Sequence, residues 1–569
     1  MMALSLRMKR SIRIRTVILA ATVGLALAFG PPLAAHLRHA FDPRIFNDDV
    51  RQHIFPFFRY TEQGTASKDI SGDYYLAIMP PGFKLLYRAL APVLDPEPLS
   101  KALPYLFLLL TLLGIGMAAY RLEGAVAALM ALALALQTPL FLSHMVGGLA
   151  RSFAFPLAAL GLWALVAGRV RALAALIVVA QAFYPVAAAI LGLALGALLF
   201  IAPRADRGEA EEWSWRRRTV LLVIVGSLMI ALFVPMALAM RPWGRPLGPG
   251  DAVVHPEGGT DGRTGPGNRP PFPHLLVEAR AEAEAVLAYA GTPLVPAVRK
   301  LVRGHEAVVM DALLLVLALG FIPLATRNVA ARRALALLLA GAVGYVLARA
   351  FAPYLYLPQR YMGYTVPLFL VVFLPASGAA LAGVLSPRRW TTRARTTGAV
   401  LVGGAVLVFL GGRGDPWAGY TVALHSNTRI YDFIRGLPKN VLVAGWPGGV
   451  IDDVPYFCRR RAFVTYETHT PYHERYLLEM RRRMDALIAA LFSEDQQGLI
   501  ELRDTFGVTH VIVNADEFSK PPWYFAPFDT EIKRAWQRGA KRGFAVENVL
   551  AKAAVFREGK LTLLDLSRL

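Results

Sequence analysis

Apolar residues dominate this chain in long runs, and polar residues come in short breaks between them. The runs lie near 16–37, 103–120, 125–142, 153–167, 172–183, 186–201, 220–240, 308–325, 334–350, 364–385 and 400–410. About 20 apolar residues carry a helix across a hydrocarbon core of about 30 Å. The pattern therefore predicts a polytopic α-helical membrane protein with about eleven transmembrane helices. Several runs are short, and Tyr184-Pro185 divides one long run in two. The stretch YYLAIMPPGFKLLYRALAPVL reads differently. Pro80-Pro81-Gly82 interrupts it and Lys84 and Arg88 sit inside it, which predicts interfacial helices rather than a span.

The segment 241–307 is a long polar interruption. Its DAVVHPEGGTDGRTGPGNRPP portion is rich in Gly and Pro, and HLLVEARAEAEAVLAYA after it reads as an amphipathic helix. Beyond about Gly411 the periodicity changes. KNVLVAG, RAFVTYE, THVIVNA and LTLLDL read as short strands, while YLLEMRRRMDALIAALF and QQGLIELRDTF read as helices. The expected division is a membrane module over 1–412, with a first extracytoplasmic loop at 39–102, and a C-terminal α/β domain over 413–569. No internal repeat is visible.

Composition agrees with the pattern. Mean hydropathy is +0.44 and charged residues make up 18%, below the roughly 25% of soluble domains. The net charge of +21 would suit nucleic acid, but the positions of the arginines argue otherwise. With the N-terminus in the cytoplasm, alternate loops carry Arg121; Arg169 and Arg171; Arg204, Arg207 and Arg216 to Arg218; Arg327, Arg332 and Arg333; and Arg388, Arg389, Arg393 and Arg395. That is the positive-inside pattern, so the charge is topological and nucleic acid is not an expected partner. The expected location is the plasma (inner) membrane, multi-pass, with the C-terminal domain extracytoplasmic. The single cysteine, Cys458, excludes an intrachain disulfide.

The same topology places three polar segments on one membrane face: NDDVRQH at 47–53, SHMVGGLARS at 143–152 and PQRY at 358–361. Ionisable groups beside a membrane are functional-site candidates. Arg151 and Arg360 offer planar forks of donors suited to phosphate oxygens, with Tyr361 beside Arg360. Asp48 or Asp49 could accept a proton from an attacking hydroxyl. Adjacent side chains diverge, so one aspartate should face the cavity while the other fixes the loop or holds a cation. Which does which stays open. His53 and His144 are candidates for contact with substrate or, for His144, with a metal. In the C-terminal domain, Asp452-Asp453 reads as a turn or helix cap, and Glu467, His469, His473 and Glu474 read as surface or packing residues.

An acidic pair in the first outer loop, about eleven spans, an Arg-Tyr opening a late span and a C-terminal extracytoplasmic α/β domain together resemble the GT-C superfamily, membrane glycosyltransferases that use polyprenyl-phosphate-linked sugars. The resemblance implies a catalytic base at Asp48 or Asp49, with the companion orienting the acceptor or binding metal, and Arg360 at the lipid phosphate. It allows a divalent cation, Mg²⁺ or Mn²⁺, at Asp49 and His144. It implies a lipid-linked sugar as donor and a glycan, lipid or protein as acceptor. WWDYG is absent and the second outer loop has no DxD-like motif, so the resemblance is to the lipid-monosaccharide transferases rather than to oligosaccharyltransferases, with Asp-Asp standing where those have Asp-Glu. Two other classes fit the composition: a transporter or flippase for a lipid-linked or anionic substrate, and a non-catalytic membrane scaffold with a glycan- or partner-binding C-terminal domain. A transporter would keep its ionisable residues nearer the midplane and often show repeated halves.

Overall fold

Proline, glycine and the polar breaks set where the helices begin and end. The computed structural model describes residues 29–62, 69–259, 261–263, 324–351, 357–385, 418–420 and 428–569, with a few isolated positions besides. The first polar loop forms one short helical turn, α1 (Val50–His53), followed by a 3-10 turn over Phe55–Tyr60. Two interfacial-length helices follow, α2 (Ile70–Ile78) and α3 (Pro81–Leu90), separated at Met79-Pro80 as the proline pair dictates.

The next element, α4 (Pro96–Gln137), contains two of the predicted spans. They part at Glu123 and Gly124, where Gly124 takes φ +76°, a left-handed value that a glycine adopts without penalty. A short α5 (Pro139–Met145) leads to α6 (Ala154–Ala167), α7 (Val170–Phe183), α8 (Pro185–Gly196), α9 (Trp215–Met240), α10 (Val329–Ala350) and α11 (Gln359–Leu385). Five helices among the described residues are long and apolar enough to cross a membrane, and two shorter apolar helices accompany them. The expectation of about eleven spans goes beyond these: 308–325 falls almost wholly, and 400–410 wholly, outside the described residues, as does most of the amphipathic stretch 274–290, while 16–37 is described continuously only from 29 onward.

Small residues let the helices close on each other. A Cβ placed on Gly114 of α4 would lie 2.5 Å from the Ala159 carbonyl carbon of α6, so the two backbones touch there. α9 is different, with only 6% of its apolar window buried. Val223, Ile230 and Leu238 point outward, where a bilayer would cover them.

The two ends of the bundle differ chemically. At one end Arg332 grips the buried Asp206 with two hydrogen bonds, at 2.8 and 2.7 Å, Arg333 donates to the Asp206 carbonyl at 2.7 Å, and Arg169 meets Glu209. These residues belong to three of the arginine-bearing loops. The three polar segments built on Asp49, Arg151 and Arg360 gather at the other end, under the C-terminal domain.

That domain begins with α12 (Thr428–Gly436) and contains a five-stranded sheet. β1 (Leu442–Ala444), β2 (Arg461–Ala462) and β3 (His510–Asn514) are parallel, in the order β2-β1-β3. α13 (Glu474–Phe492) and α14 (Gln497–Asp504) lie between β2 and β3 in the chain. After α15 (Phe528–Arg542) and α16 (Ala545–Ala553), the hairpin β4 (Ala554–Glu558) and β5 (Leu561–Asp565) adds two antiparallel strands through β5. Alternation along β3 supplies both faces. Val511 and Val513 pack with Leu487 and Leu491 of α13, whereas Ile512 packs with Ile430 and Ile434 of α12. Four strands and two helices of this domain follow the expected segments, although RAFVTYE contributes only a two-residue strand. β4, α12, α15 and α16 were not anticipated.

Replacing Gly114 with Val should therefore lower the thermal unfolding temperature of the detergent-solubilised protein, at a cost of about 2 kcal/mol from overpacking. Gly116→Ala is the control, because its new methyl would meet only the flexible Leu132 side chain at 3.4 Å. Equal stability of the two variants would contradict the packing described.

Candidate functional site

The geometry of the site starts from α1. Asp49 caps this turn and its carbonyl accepts from the His53 amide at 3.1 Å. Asp49 and His53 are thus one i,i+4 pair on one side of the turn, while Asp48 and Arg51 form an i,i+3 ion pair on the other. The two adjacent aspartates belong to two different clusters.

The Asp49 side faces the bundle. Its Oδ2 accepts from Arg151 Nη1. Asn47 holds the arrangement: its Oδ1 accepts from the Asp49 amide at 3.1 Å and reaches Arg151 Nη2 at 3.5 Å, and its Nδ2 donates to the Gly419 carbonyl at 2.8 Å. Arg151 arrives by way of Gly147 and Gly148, whose φ values of +91° and +57° turn the second polar segment against Val50, Asn47 and Ser100. The Tyr87 hydroxyl fixes that turn by donating to the Gly148 carbonyl at 2.9 Å.

Arg360, in the first turn of α11, donates to the Tyr184 hydroxyl at 3.0 Å, and Tyr184 meets the Tyr364 hydroxyl at 3.3 Å. The Tyr364 ring packs against Phe155 and the His144 ring. The Tyr361 ring packs against Gly344 of α10, with its hydroxyl within electrostatic reach of Tyr184. His144 uses Nδ1 to donate to the Leu140 carbonyl at 2.9 Å, which fixes its tautomer.

Charges within this group are strongly coupled. Burial raises the Asp49 pKa, but the charge of Arg151 foremost, then His53, the hydrogen bond from Arg151 and the more distant Arg360, outweighs burial and holds Asp49 below the usual carboxylate value. Burial pushes the His53 imidazole down to about 4, an effect that Asp49 opposes and Arg151 and Arg360 reinforce. Burial lowers His144 as well, again reinforced by the two arginines. At neutral pH two guanidinium groups, one carboxylate and two uncharged imidazoles leave the cluster with one net positive charge.

The Asp48 side faces the C-terminal domain. Arg51 pairs with Asp48, with Asp453 at 3.1 Å and with Glu467 at 2.9 Å. Glu467 also accepts from Gln52 and lies 3.5 Å from Arg263, whose guanidinium covers the Tyr466 ring. The Tyr431 hydroxyl takes the second Asp453 oxygen at 2.8 Å. Arg459 extends the seam to Glu62 and Asp95, over the Phe58 ring, while Tyr74 stacks on Tyr476 with centroids 3.7 Å apart. Asp452 caps a turn as expected, accepting from the Gly448 and Tyr466 amides. His469 and His473 are packing residues bonded to Tyr524 and Tyr74. Cys458 is a buried free thiol.

A divalent cation at Asp49 and His144 does not fit this donor set. Asp49 is engaged by one guanidinium with another close by, which a cation would have to displace, and His144 offers only Nε2, with no second carboxylate beside it among the described residues. Among the described residues no three His, Cys, Asp or Glu side chains converge. Sequence reasoning found Asp49, His53, His144, Arg151 and Arg360, which the fold brings together. It gave Asn47 and Arg51 no role beyond membership of the segment 47–53, and it missed Tyr184. Tyr184 had a signal, since it lies at the proline break between two apolar runs.

The fold, a helical bundle with charged loops gathered at one end and capped there by a mixed α/β sheet domain, is shared with solved structures. Among solved structures, ArnT from Cupriavidus metallidurans bound to undecaprenyl phosphate is similar to this chain, with 16% identity over 95% of this chain and 97% of that one and a TM-score of 0.52. Its apo form gives 14% identity over 96% and 98%, with a TM-score of 0.50. The archaeal oligosaccharyltransferase AglB from Archaeoglobus fulgidus, in complex with an inhibitory peptide and a dolichol-phosphate, gives 12% identity over 96% of this chain and 73% of that one, with a TM-score of 0.46. No family model and no curated protein matches the sequence.

Arg51→Ala would leave Asp453 and Glu467 facing each other with their shared guanidinium gone. The expected cost is about 3 kcal/mol, the usual order for breaking a buried ion pair from one side. Limited proteolysis should then release the C-terminal domain faster than in the wild type. An unchanged cleavage rate would show that the seam does not hold the domain.

Proposed function

We propose that this protein is a membrane glycosyltransferase that moves a sugar from a polyprenyl-phosphate donor to an acceptor at the membrane face bearing the C-terminal domain, which on the expected topology is extracytoplasmic. The observation that carries the reading is the convergence of Asp49, Arg151 and Arg360 from segments about 100 and 200 residues apart at the end of an apolar bundle where an ionisable cluster needs a reason to exist. The likeness in fold to ArnT, solved with undecaprenyl phosphate, supports the same reading.

In this reading Arg151 and Arg360 hold the donor phosphate, and one net positive charge matches a singly charged phosphodiester. Tyr184 keeps Arg360 oriented. Asp49 acts as general base toward the acceptor, and the departing phosphate's growing charge is taken up by the two guanidinium groups. Asp48 has a structural part only, pairing with Arg51 of α1. His53 and His144, uncharged at neutral pH, line the donor side and add no opposing charge. Assignment to the lipid-monosaccharide type rests on the missing WWDYG and on the chain's nearly full-length overlap with ArnT.

The test is transfer by the full-length protein in nanodiscs, offered a panel of radiolabelled polyprenyl-phosphate sugars with membrane-extracted glycolipids as acceptors. Asp49→Asn should cut transfer by about 100-fold or more, whereas Asp48→Asn should keep most of it. Full activity in Asp49→Asn, or equal loss in both variants, would sink the assignment of the base. A chelator should leave the rate unchanged.

A further inference from the structure

On the reading above, Asp49 and the donor phosphate want the same guanidinium. Arg151 gives Nη1 to Asp49, reaches Asn47 with Nη2 only at 3.5 Å, and leaves its buried Nε without a hydrogen-bond partner. A group with five N–H donors is thus committed to one close contact and one at the limit of hydrogen-bonding distance. Arg360 is anchored to Tyr184 at 3.0 Å. Arg151 thus carries a buried donor that its present partners leave unmet.

A carboxylate neutralised by a guanidinium is a poor proton acceptor, because the pair stabilises its ionised form. A phosphodiester competes for that guanidinium with two oxygens in matching geometry. We propose that Arg151 is shared between Asp49 and the donor: it holds Asp49 in the donor-free protein and passes to the phosphate when the donor binds, so Asp49 becomes able to take a proton only with donor in place. Asn47 is the positioning residue. Its bonds to the Asp49 amide and the Gly419 carbonyl keep the Asp49 backbone still when the guanidinium leaves. In the transfer step the acceptor's hydroxyl proton goes to the Asp49 carboxylate and the acceptor oxygen bonds to the anomeric carbon. The bond from that carbon to the phosphate oxygen breaks, and its electron pair leaves with the polyprenyl phosphate toward Arg151 and Arg360. Donor-first binding follows, and it limits transfer to chance nucleophiles. The inference rests on the proposed function and specifies how its site works.

A double-mutant cycle on binding of undecaprenyl phosphate to the full-length, detergent-solubilised protein tests it. Asp49→Asn should bind the lipid about fivefold more tightly than wild type, since the competitor for Arg151 is gone. In an Arg151→Gln background, Asp49→Asn should change affinity little. Arg151→Lys, which keeps the charge without the fork, guards against a misfolded Gln variant and should retain part of the tightening. The same tightening in both backgrounds would reduce the effect to long-range charge and overturn the exchange, as would its absence in a wild-type protein that binds the lipid. No lipid binding by the wild type would overturn the reading of the site itself, and the exchange with it.

Discussion

One helical turn has to satisfy charges on two sides at once, and the rest of the site depends on it. Between Asn47 and His53 the chain presents two carboxylates, a guanidinium and an imidazole within seven residues, at a depth where none is cheap to bury alone. The fold answers by sending the charges on the two sides of the turn to different modules. Asp49 goes to Arg151 from the second polar segment, and Arg51 goes to Asp453 and Glu467 of the sheet domain. Because α1 is a single turn, these partners cannot move independently. The bundle and the C-terminal domain meet through it.

This explains why the membrane module and the sheet domain share packing. Tyr456, Tyr476 and Met480 of the C-terminal domain belong to the same buried core as Phe57, Tyr74 and Phe83 of the loop helices. Polar contacts set the register of that interface, and aromatic burial supplies the greater part of its cohesion. At the opposite end, Asp206 is the buried counterweight to Arg332, so the arginine-bearing loops are tied down as well as positively charged.

Much of the architecture was legible in the sequence because lipid leaves few choices. Apolar runs predicted the helices from 103 to 201 and those at 220–240, 334–350 and 364–385, and the parity of those runs put Asp49, Arg151 and Arg360 at one end, where the fold has them. The division of labour between Asp48 and Asp49 was not legible. A step of about 100° per residue says that neighbours diverge, yet it cannot say which one meets the bundle until the C-terminal domain is docked. The role of Arg51 was hidden for the same reason, since its partners lie about 400 residues away. Tyr184 was visible only as a break: its extended backbone, φ −154° and ψ 94°, ends α7 and also aims a phenol at Arg360. β4 was missed because AVFRE is short and its hairpin partner carries the stronger pattern.

The seam around Arg51 also bears on how such a chain can diversify. A sheet domain joined only by a linker could be exchanged like a cassette for another of different specificity. Here Ala418 and Gly419, just ahead of that domain, are bonded to His36 and Asn47, and acids from both modules converge on one arginine. A foreign domain would have to bring its own acids for Arg51 and its own cation for Glu62 and Asp95, or leave those charges stranded. The two halves of this protein are therefore bound to drift together, and novelty in what it recognises has to come from substitutions on the existing domain.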